Sequence, residues 1–217
     1  MVIRHTTTAD LDAVMEIYAQ AREFMRENGN ATQWPGDYPP REYIEGDITR
    51  GTSYVCEVGS EVVATFYYNI ERDATYERIR GEWLDGSGLF KAQYGATSAA
   101  IDRRLCEQWN MGGAARDEAA IVFDGQYAAE PPKSSREIGR TSTSYKDCGV
   151  VHRLASRARG AGAFCVEWCF EQCGSLKIDT HENNAPMRGL LAKLGFAYCG
   201  VIWVLDGEER IAFQKVR

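Results

Sequence analysis

A short turn in the C-terminal third of the chain combines two glycines with two arginines. Residues 157–162 read Arg-Ala-Arg-Gly-Ala-Gly and lie between a predicted strand and a predicted helix. Gly160 and Gly162 carry no β-carbon, so main-chain N–H groups can approach an anion, and the helix N-terminus adds partial positive charge. The turn is therefore suited to binding a diphosphate.

The turn by itself is compatible with three interpretations. Coenzyme A and nicotinamide nucleotides both carry a pyrophosphate, and a tight turn can also bind nothing. The nicotinamide fingerprint needs a third Gly or Ala where this chain has Cys165, although Asp179 stands at about the right distance for a ribose contact. A nicotinamide-binding oxidoreductase is therefore the weaker of the two nucleotide alternatives.

A second segment narrows these alternatives. Residues 184–196 follow the next predicted strand and read NAPMRGLLAKLGF. The Arg-x-x-Gly-x-Gly turn, followed along the chain by the Asn-to-Gly-Phe segment, resembles the motifs of the GNAT superfamily of N-acetyltransferases. The resemblance covers about 1–85 and 145–217 of the chain. The resemblance implies an enzyme that uses acetyl-CoA as the acetyl donor. Such an enzyme transfers the acetyl group directly to a primary amine, without a covalent enzyme intermediate.

The resemblance also implies where acetyl-CoA would bind. The cofactor would lie in a splay between two parallel strands, one ending near Leu154 and the next spanning 176–180. Asn184 is a position from which the family's side chain often meets the cofactor, and this role is compatible with capping a helix. The implied contacts are Arg153, Leu154 and Ala155 for the pantetheine arm, and Arg157, Arg159, Gly160, Ala161, Gly162 and Ala163 for the pyrophosphate.

Three side chains are candidates for the base that would deprotonate the acceptor amine. His152 lies on the predicted central strand, His181 lies just past the next strand, and Glu82 lies beside Trp83. His152 is favoured because imidazole titrates near the working pH and its strand borders the splay. The alternative role of His152 is a hydrogen-bonded core residue, and that of His181 is a member of an ordinary polar turn.

Acetyl transfer has two further requirements, an oxyanion donor and protonation of the departing thiolate. A main-chain N–H near Leu154 is expected to be the oxyanion donor. Many relatives protonate the sulfur with a Tyr seven residues after the Asn, where this chain has Leu191. Tyr198 or solvent is therefore expected to supply this proton.

Aromatic residues are the candidates for an acceptor pocket. Trp34 and Tyr38 lie in a loop rich in Pro and Gly, and Trp83 lies farther along the chain. The same rings could instead be folded onto the core. The acceptor stays open among small polyamines, amino acids, aminoglycosides and protein N-termini. A non-catalytic CoA-binding sensor or interaction module is the alternative from another functional class.

Hydrophobic periodicity and turn signals predict the elements that must position these residues. A strand, a helix and a hairpin precede residue 70, and two strand–helix pairs and a closing hairpin follow residue 145. This order indicates an α+β fold with a mixed sheet, which the resemblance specifies as three α/β/α layers with mostly antiparallel strands. Residues 86–144 are long and poor in apolar residues, so they are predicted to be an insertion in a single domain spanning 1–217.

Composition limits the functional classes. The chain has 217 residues, and its 25 basic and 31 acidic residues give a net charge of −6 without a Lys/Arg-rich run, so nucleic acid is an unexpected partner. A polar start and the lack of a long apolar run predict a cytoplasmic protein that binds no membrane. The seven cysteines predict reduced thiols, with Cys165, Cys169 and Cys173 packed in the core rather than on a metal. A homodimer is suggested by the resemblance alone.

Overall fold

A single mixed sheet carries the candidate residues in the computed structural model, which describes residues 1–87 and 148–217. Its strands are β1 (Val2–His5), β2 (Ser53–Val58), β3 (Glu61–Glu71), β4 (Ile79–Gly81), β5 (Cys148–Ser156), β6 (Ser175–Thr180), β7 (Ala197–Trp203) and β8 (Glu209–Val216). The spatial order is β1-β2-β3-β5-β6-β8-β7-β4. Only β5 and β6 run parallel among these strands, so the predicted α+β class with a mostly antiparallel sheet is confirmed.

Helices cover both faces of the sheet. They are α1 (Leu11–Glu27), α2 (Arg41–Arg50), α3 (Ala161–Cys173) and α4 (Ala185–Lys193). The sequence pattern did not indicate α2, because this helix buries only Ile44 and Asp47 and therefore has no continuous apolar stripe. The predicted insertion at 86–144 lies outside the described residues except for Gly86 and Ser87, so the single-domain organisation stays a prediction.

The alternation of side chains along the strands divides the core between the two faces. On β5, Val151 packs in the cluster beneath α3 and α4, whereas its neighbour Val150 belongs to a cluster on the opposite face. That opposite face is covered by α1 and α2 over one half, and by Tyr76 and Trp83, which flank β4 in the chain, over the other half. This arrangement gives the three predicted layers.

The two parallel strands separate soon after they meet. Gly149 pairs with Leu176 and Val150 with Lys177, and the ladder between β5 and β6 ends there. β5 nevertheless continues to Ser156 as a partner of β3. The predicted splay between two parallel strands is therefore present, and it lies at the centre of the sheet.

A β-bulge interrupts β5 beside the splay. Thr65 of β3 faces Ala155, but Tyr67 faces His152, so β5 contains one extra residue in this stretch. Arg153, in the bulge, has φ of 52°, a left-handed conformation that costs a non-glycine residue about 1–2 kcal/mol. Surrounding contacts must therefore hold this residue in place.

Helices α1 and α2 supply those contacts. The buried guanidinium of Arg153 donates to the buried carboxylate of Asp47 in α2 and lies 5.4 Å from the centre of the Tyr67 ring. The carbonyl oxygen of Arg153 accepts from the hydroxyl of Tyr18 in α1 at 3.1 Å. Burial raises the pKa of Tyr18 to about 12, so this hydroxyl keeps its proton at physiological pH. The guanidinium and the carbonyl oxygen of Arg153 are thus both held by helices on the same face of the sheet.

The ion pair of Asp47 and Arg153 predicts a large stability cost when one charge is removed. Asp47→Asn leaves a fully buried guanidinium without its counter-charge, so the free energy of unfolding measured in urea should fall by about 3 kcal/mol. Arg50→Gln is the control, because Arg50 contacts the same carboxylate but its side chain is 48% exposed, and it should cost less than about 1 kcal/mol. Equal losses in the two variants would contradict the assignment.

Candidate active site

The glycine turn forms an open concave surface at the start of α3. Gly160 precedes the helix with φ of 79°, and a β-carbon added there would meet no atom within 4 Å. Ala161 N donates to Ala158 O at 3.1 Å, while the next N–H groups of the first helical turn have no intrahelical acceptor. Main-chain donors beside open space are the features that a pyrophosphate needs. The turn therefore fits the cofactor that the sequence implied.

The two arginines of the turn differ in their surroundings. Arg157 directs its guanidinium to β3, where Nη2 donates to Val62 O at 2.8 Å and lies 3.0 Å from a carboxylate oxygen of Glu61. Its main-chain N–H also donates to Val63 O at 2.9 Å. Arg159 is exposed at the turn. Arg157 thus fastens the turn to the sheet, and Arg159 is the arginine placed to meet an anion.

His152 forms a buried pair with Asp73, which lies in the segment between β3 and β4. The imidazole Nε2 is 2.8 Å from Asp73 Oδ2, and the two side chains are 2% and 14% exposed. Burial by itself would lower the pKa of His152 and raise that of Asp73. Their hydrogen bond and opposite charges outweigh burial, so the pKa of His152 is raised and the pKa of Asp73 is lowered. The pair therefore favours the imidazolium and the carboxylate.

Two further charged residues near His152 shift its pKa in opposite directions. Asp179 on β6 raises the pKa of His152 further, and Arg153 lowers it. The rings of Tyr67 and Tyr76 lie 5.4 and 6.1 Å from the imidazole. The histidine is thus enclosed by groups from β3, β5, β6 and the segment that carries Asp73.

Asp179 does not take the position that a nicotinamide cofactor would require. Its side chain is buried, and Oδ1 accepts from the hydroxyl of Tyr76 at 2.7 Å. A carboxylate that binds a ribose must instead be accessible at the edge of the sheet. In addition, the described strands contain one parallel pair rather than a parallel sheet. The nicotinamide interpretation therefore loses its supporting residue.

The other candidates for proton transfer lie apart from His152 and Asp73. Glu82 is exposed next to the edge strand β4, and its main-chain N–H donates to Cys199 O at 2.9 Å. Tyr198 lies on β7, with its ring 5.8 Å from that of Phe213, and packs against the core cluster of α3 and α4. Both β4, which Glu82 follows, and β7, which carries Tyr198, are separated from β5 in the sheet by β6 and β8.

His181 has an environment opposite to that of His152. It lies just past β6, partly buried, and Nδ1 accepts from the main-chain N–H of Asn183 at 3.2 Å. Burial, together with the charge of Arg210, lowers the pKa of His181. A neutral imidazole in a turn is the state that these contacts favour.

Asn184 caps α4 and connects it to the loop after α1. Its Oδ1 accepts from Met187 N at 3.1 Å, so the expected capping role is present. Its Nδ2 donates to Oε1 of Gln33 at 3.1 Å. The residue implied for the cofactor is thus bonded directly to the loop that carries Trp34.

The three candidate acceptor aromatics do not form one pocket. The buried ring of Trp34 lies 5.5 Å from Tyr18 and 6.0 Å from Tyr38, so these two candidates come together under α1. Trp83 is buried in a separate cluster, where its indole N–H donates to Tyr76 O at 3.0 Å. In the described structure Trp83 is a core residue.

Sequence reasoning missed the residues that position the candidates. Asp73 precedes Ala74 and Thr75, a pattern typical of a turn, and its carboxylate accepts from Thr75 N at 2.8 Å. Helical spacing places Tyr18 with the apolar residues of α1 and gives no sign of the role of its hydroxyl. No local signal connects Asp73 to a histidine 79 positions away, or Asp47 to an arginine 106 positions away.

Residues 1–87 and 148–217 contain no group of three His, Cys, Asp or Glu side chains that could hold a metal ion. None of the four helices in those ranges has the length and apolar character to cross a membrane.

Solved structures share the fold of this chain. A GNAT-family acetyltransferase from Streptococcus agalactiae aligns over 100% of this chain and 95% of its own length, with a TM-score of 0.66 and 22% identity. A GNAT-family acetyltransferase from Listeria monocytogenes aligns over 99% and 93%, with a TM-score of 0.51 and 10% identity. No family model and no curated protein matches the sequence. The resemblance to the GNAT superfamily is thus confirmed at the level of the fold.

The buried pair of His152 and Asp73 predicts a pH-dependent stability. A histidine whose folded pKa is raised stabilises the protein fully below its unfolded pKa of about 6.5, and this contribution disappears as the pH rises through the folded pKa. Asp73→Asn should therefore lower the free energy of unfolding at pH 6 by about 2 kcal/mol, and by less as the pH rises through the folded pKa of His152.

The control for this variant is Asp206→Asn. Asp206 accepts from Glu208 N at 2.9 Å in the turn between β7 and β8, so the substitution tests a similar turn without the histidine. Its effect on stability should be independent of pH above pH 6. A cost of Asp73→Asn that also stays constant with pH would contradict the charged pair.

Proposed function

We propose that this protein is an acetyl-CoA-dependent N-acetyltransferase that moves an acetyl group directly to a primary amine. The observation that carries the proposal is the combination of a splay in the parallel pair with an open glycine turn at the start of α3, in a chain with the GNAT fold. The Streptococcus agalactiae and Listeria monocytogenes proteins that share this fold are GNAT-family acetyltransferases. In this transfer a C–N bond forms, the thioester C–S bond breaks, the amine loses a proton and the thiolate gains one.

The residues present fit acetyl-CoA, which when bound would supply the activated acetyl thioester. The main-chain N–H groups of Arg159, Gly160, Gly162 and Ala163 would donate to the pyrophosphate, while that of Ala161 donates to Ala158 O. Exposed Arg159 would add positive charge. The main chain of β5 beyond Val150, where pairing with β6 ends, would receive the pantetheine arm. Leu154 and Ala155 are fully buried, so entry of the arm requires the side chains between β5 and β6 to move.

His152 is the proposed base, with Asp73 as the residue that orients it. Because the Asp73 carboxylate accepts a hydrogen bond from Nε2–H of His152, Nδ1 of the neutral imidazole would be the atom that accepts the proton of the amine. The N–H of Leu154, in the bulge, is the proposed oxyanion donor. Leu191 is buried in the core beneath α3 and α4, and two strands separate the strand of Tyr198 from β5, so the proton for the thiolate is assigned to solvent.

Binding of acetyl-CoA is the first consequence to test. At about a hundred times its dissociation constant, acetyl-CoA should add roughly 2.7 kcal/mol and raise the melting temperature by several degrees, whereas NADH should not. Gly160→Asn should weaken acetyl-CoA binding at least about tenfold, because the new side chain fills the open turn. Asn tolerates the left-handed backbone, so the free protein should melt close to the wild type.

A second glycine gives the matched control for this variant. Gly207, between β7 and β8, also has a left-handed backbone (φ of 88°) and open space around it. Gly207→Asn should leave acetyl-CoA affinity unchanged. Equal affinity in the two variants would remove the glycine turn from the cofactor site, and a shift with NADH alone would support an oxidoreductase.

Release of the CoA thiol separates an enzyme from a binding module. An acetyltransferase should release free thiol from acetyl-CoA with at least one member of a panel of primary amines. A protein that is stabilised by acetyl-CoA but releases no thiol with any of them would instead be a CoA-binding sensor or interaction module.

The pH dependence of the rate tests the role of His152. The value of kcat/KM should rise with pH through the pKa of His152, which lies above its ordinary value because of Asp73. Asp73→Asn removes the charge that raises this pKa, so the acidic limb should move to lower pH with the same amine. His152→Gln should abolish the limb, and a mutant with an unaltered profile would reassign the base.

A further inference from the structure

Three buried polar atoms in the loop after α1 point to a missing partner. They are Asn30 Oδ1, Gln33 Nε2 and Trp34 Nε1, and none of them has a hydrogen-bond partner within residues 1–87 and 148–217. The three residues are each 3% exposed or less. Since buried polar atoms are almost always hydrogen-bonded, three of them within five residues indicate a group that binds there.

The neighbouring bonds fix which atom of each amide is left over. Asn184 Oδ1 accepts from a main-chain N–H, so its Nδ2 must be the atom that donates to Gln33 Oε1. Asn30 Nδ2 also donates to Gln33 Oε1, at 2.5 Å. Rotation of the Gln33 amide would break both bonds. Two donors, Gln33 Nε2 and Trp34 Nε1, and one acceptor, Asn30 Oδ1, therefore remain.

The loop connects the two sides of the splay. On the β5 side, the Trp34 ring packs against Tyr18, whose hydroxyl bonds to Arg153 O in the bulge. On the β6 side, Gln33 bonds to Asn184, which begins the helix that follows β6. A cleft between the end of α1 and the start of α4 adjoins this loop and is lined in part by Asn30 and Asn184. The loop that carries the three atoms is thus linked to both sides of the splay, through Tyr18 on the β5 side and through Asn184 on the β6 side.

We propose that this loop recognises an amide group of the acceptor, so that the acceptor is an α-amino amide, such as an amino acid amide or a peptide N-terminus. A carbonyl oxygen has lone pairs for Gln33 Nε2 and Trp34 Nε1, and an amide N–H can donate to Asn30 Oδ1. A simple alkylamine or polyamine offers no carbonyl oxygen. The proposal deepens the acetyltransferase function and rests on it.

Spectra of the indole N–H groups test the binding directly. In protein labelled with ¹⁵N-tryptophan, titration with leucinamide, with and without CoA, should move the Trp34 indole proton downfield, because this N–H gains an acceptor. Trp34→Phe assigns the peak by removing it. Trp83 is the internal control, since its N–H already donates to Tyr76 O, and its peak should stay in place.

An amine that lacks only the carboxamide distinguishes recognition of the amide from binding of the rest of leucinamide. Isoamylamine has the skeleton of leucinamide without the carboxamide, and it should leave the Trp34 peak unmoved. A peak that does not respond to saturating leucinamide, or that responds equally to both amines, would overturn the proposal and assign the three atoms to ordered water.

The rates of acetylation of leucinamide and isoamylamine give a second test. Leucinamide should be acetylated with a kcat/KM at least about tenfold above that of isoamylamine, because the amine without the carboxamide leaves the buried donors unpaired. The same order is expected for lysinamide over cadaverine. Trp34→Phe should lower the ratio of kcat/KM for leucinamide to kcat/KM for isoamylamine toward one, whereas Trp203→Phe, on β7, should leave this ratio unchanged.

The outcomes distinguish the two proposals. Thiol release with isoamylamine at the same rate as with leucinamide would leave an acetyltransferase and refute amide recognition. No thiol release with any amine, despite a leucinamide-dependent shift of the Trp34 peak, would refute the enzyme and keep the amide site.

Discussion

The position of Arg153 is the constraint on which the site depends. A left-handed arginine with no exposed surface is costly in both backbone conformation and charge, so it requires fixed partners. Asp47 holds its guanidinium, and Tyr18 holds its carbonyl oxygen. Helices α1 and α2 therefore set the shape of the β5 bulge. The bulge in turn places His152 on one side and the proposed oxyanion donor, Leu154, on the other.

The segment between β3 and β4 completes the site from the same face. It brings Asp73 to His152 and Tyr76 to Asp179, so two carboxylates are buried next to β5 and β6, each with a hydrogen-bond donor. Because the pair favours an imidazolium, His152 as the proposed base would accept a proton only above its raised pKa. The same electrostatics that stabilise the fold thus determine the pH range of the proposed chemistry.

Two surfaces of different chemistry lie beside the splay, and a hydrogen bond between polar side chains joins one of them to Asn184. The glycine turn and α3 present main-chain donors for an anion, whereas the loop after α1 presents side-chain amides and an indole. Asn184, which caps α4, bonds to the loop through Gln33 and is also the residue that the family resemblance implies for the cofactor. A cofactor that engages Asn184 and an acceptor that engages Gln33 would therefore act on neighbouring atoms of one hydrogen-bonded network.

The sequence by itself determined the order of most strands and helices and the glycine turn, since these depend on local periodicity and on residues without a β-carbon. It also indicated His152 and the Asn184 cap, but not α2, which lacks an apolar stripe. Only the tertiary structure decided that Asp73 pairs with His152, that Asp47 holds Arg153, and that Trp83 lies apart from Trp34. These contacts join residues distant in the chain, and buried charges have no periodic pattern, because their partners depend on how the strands are packed.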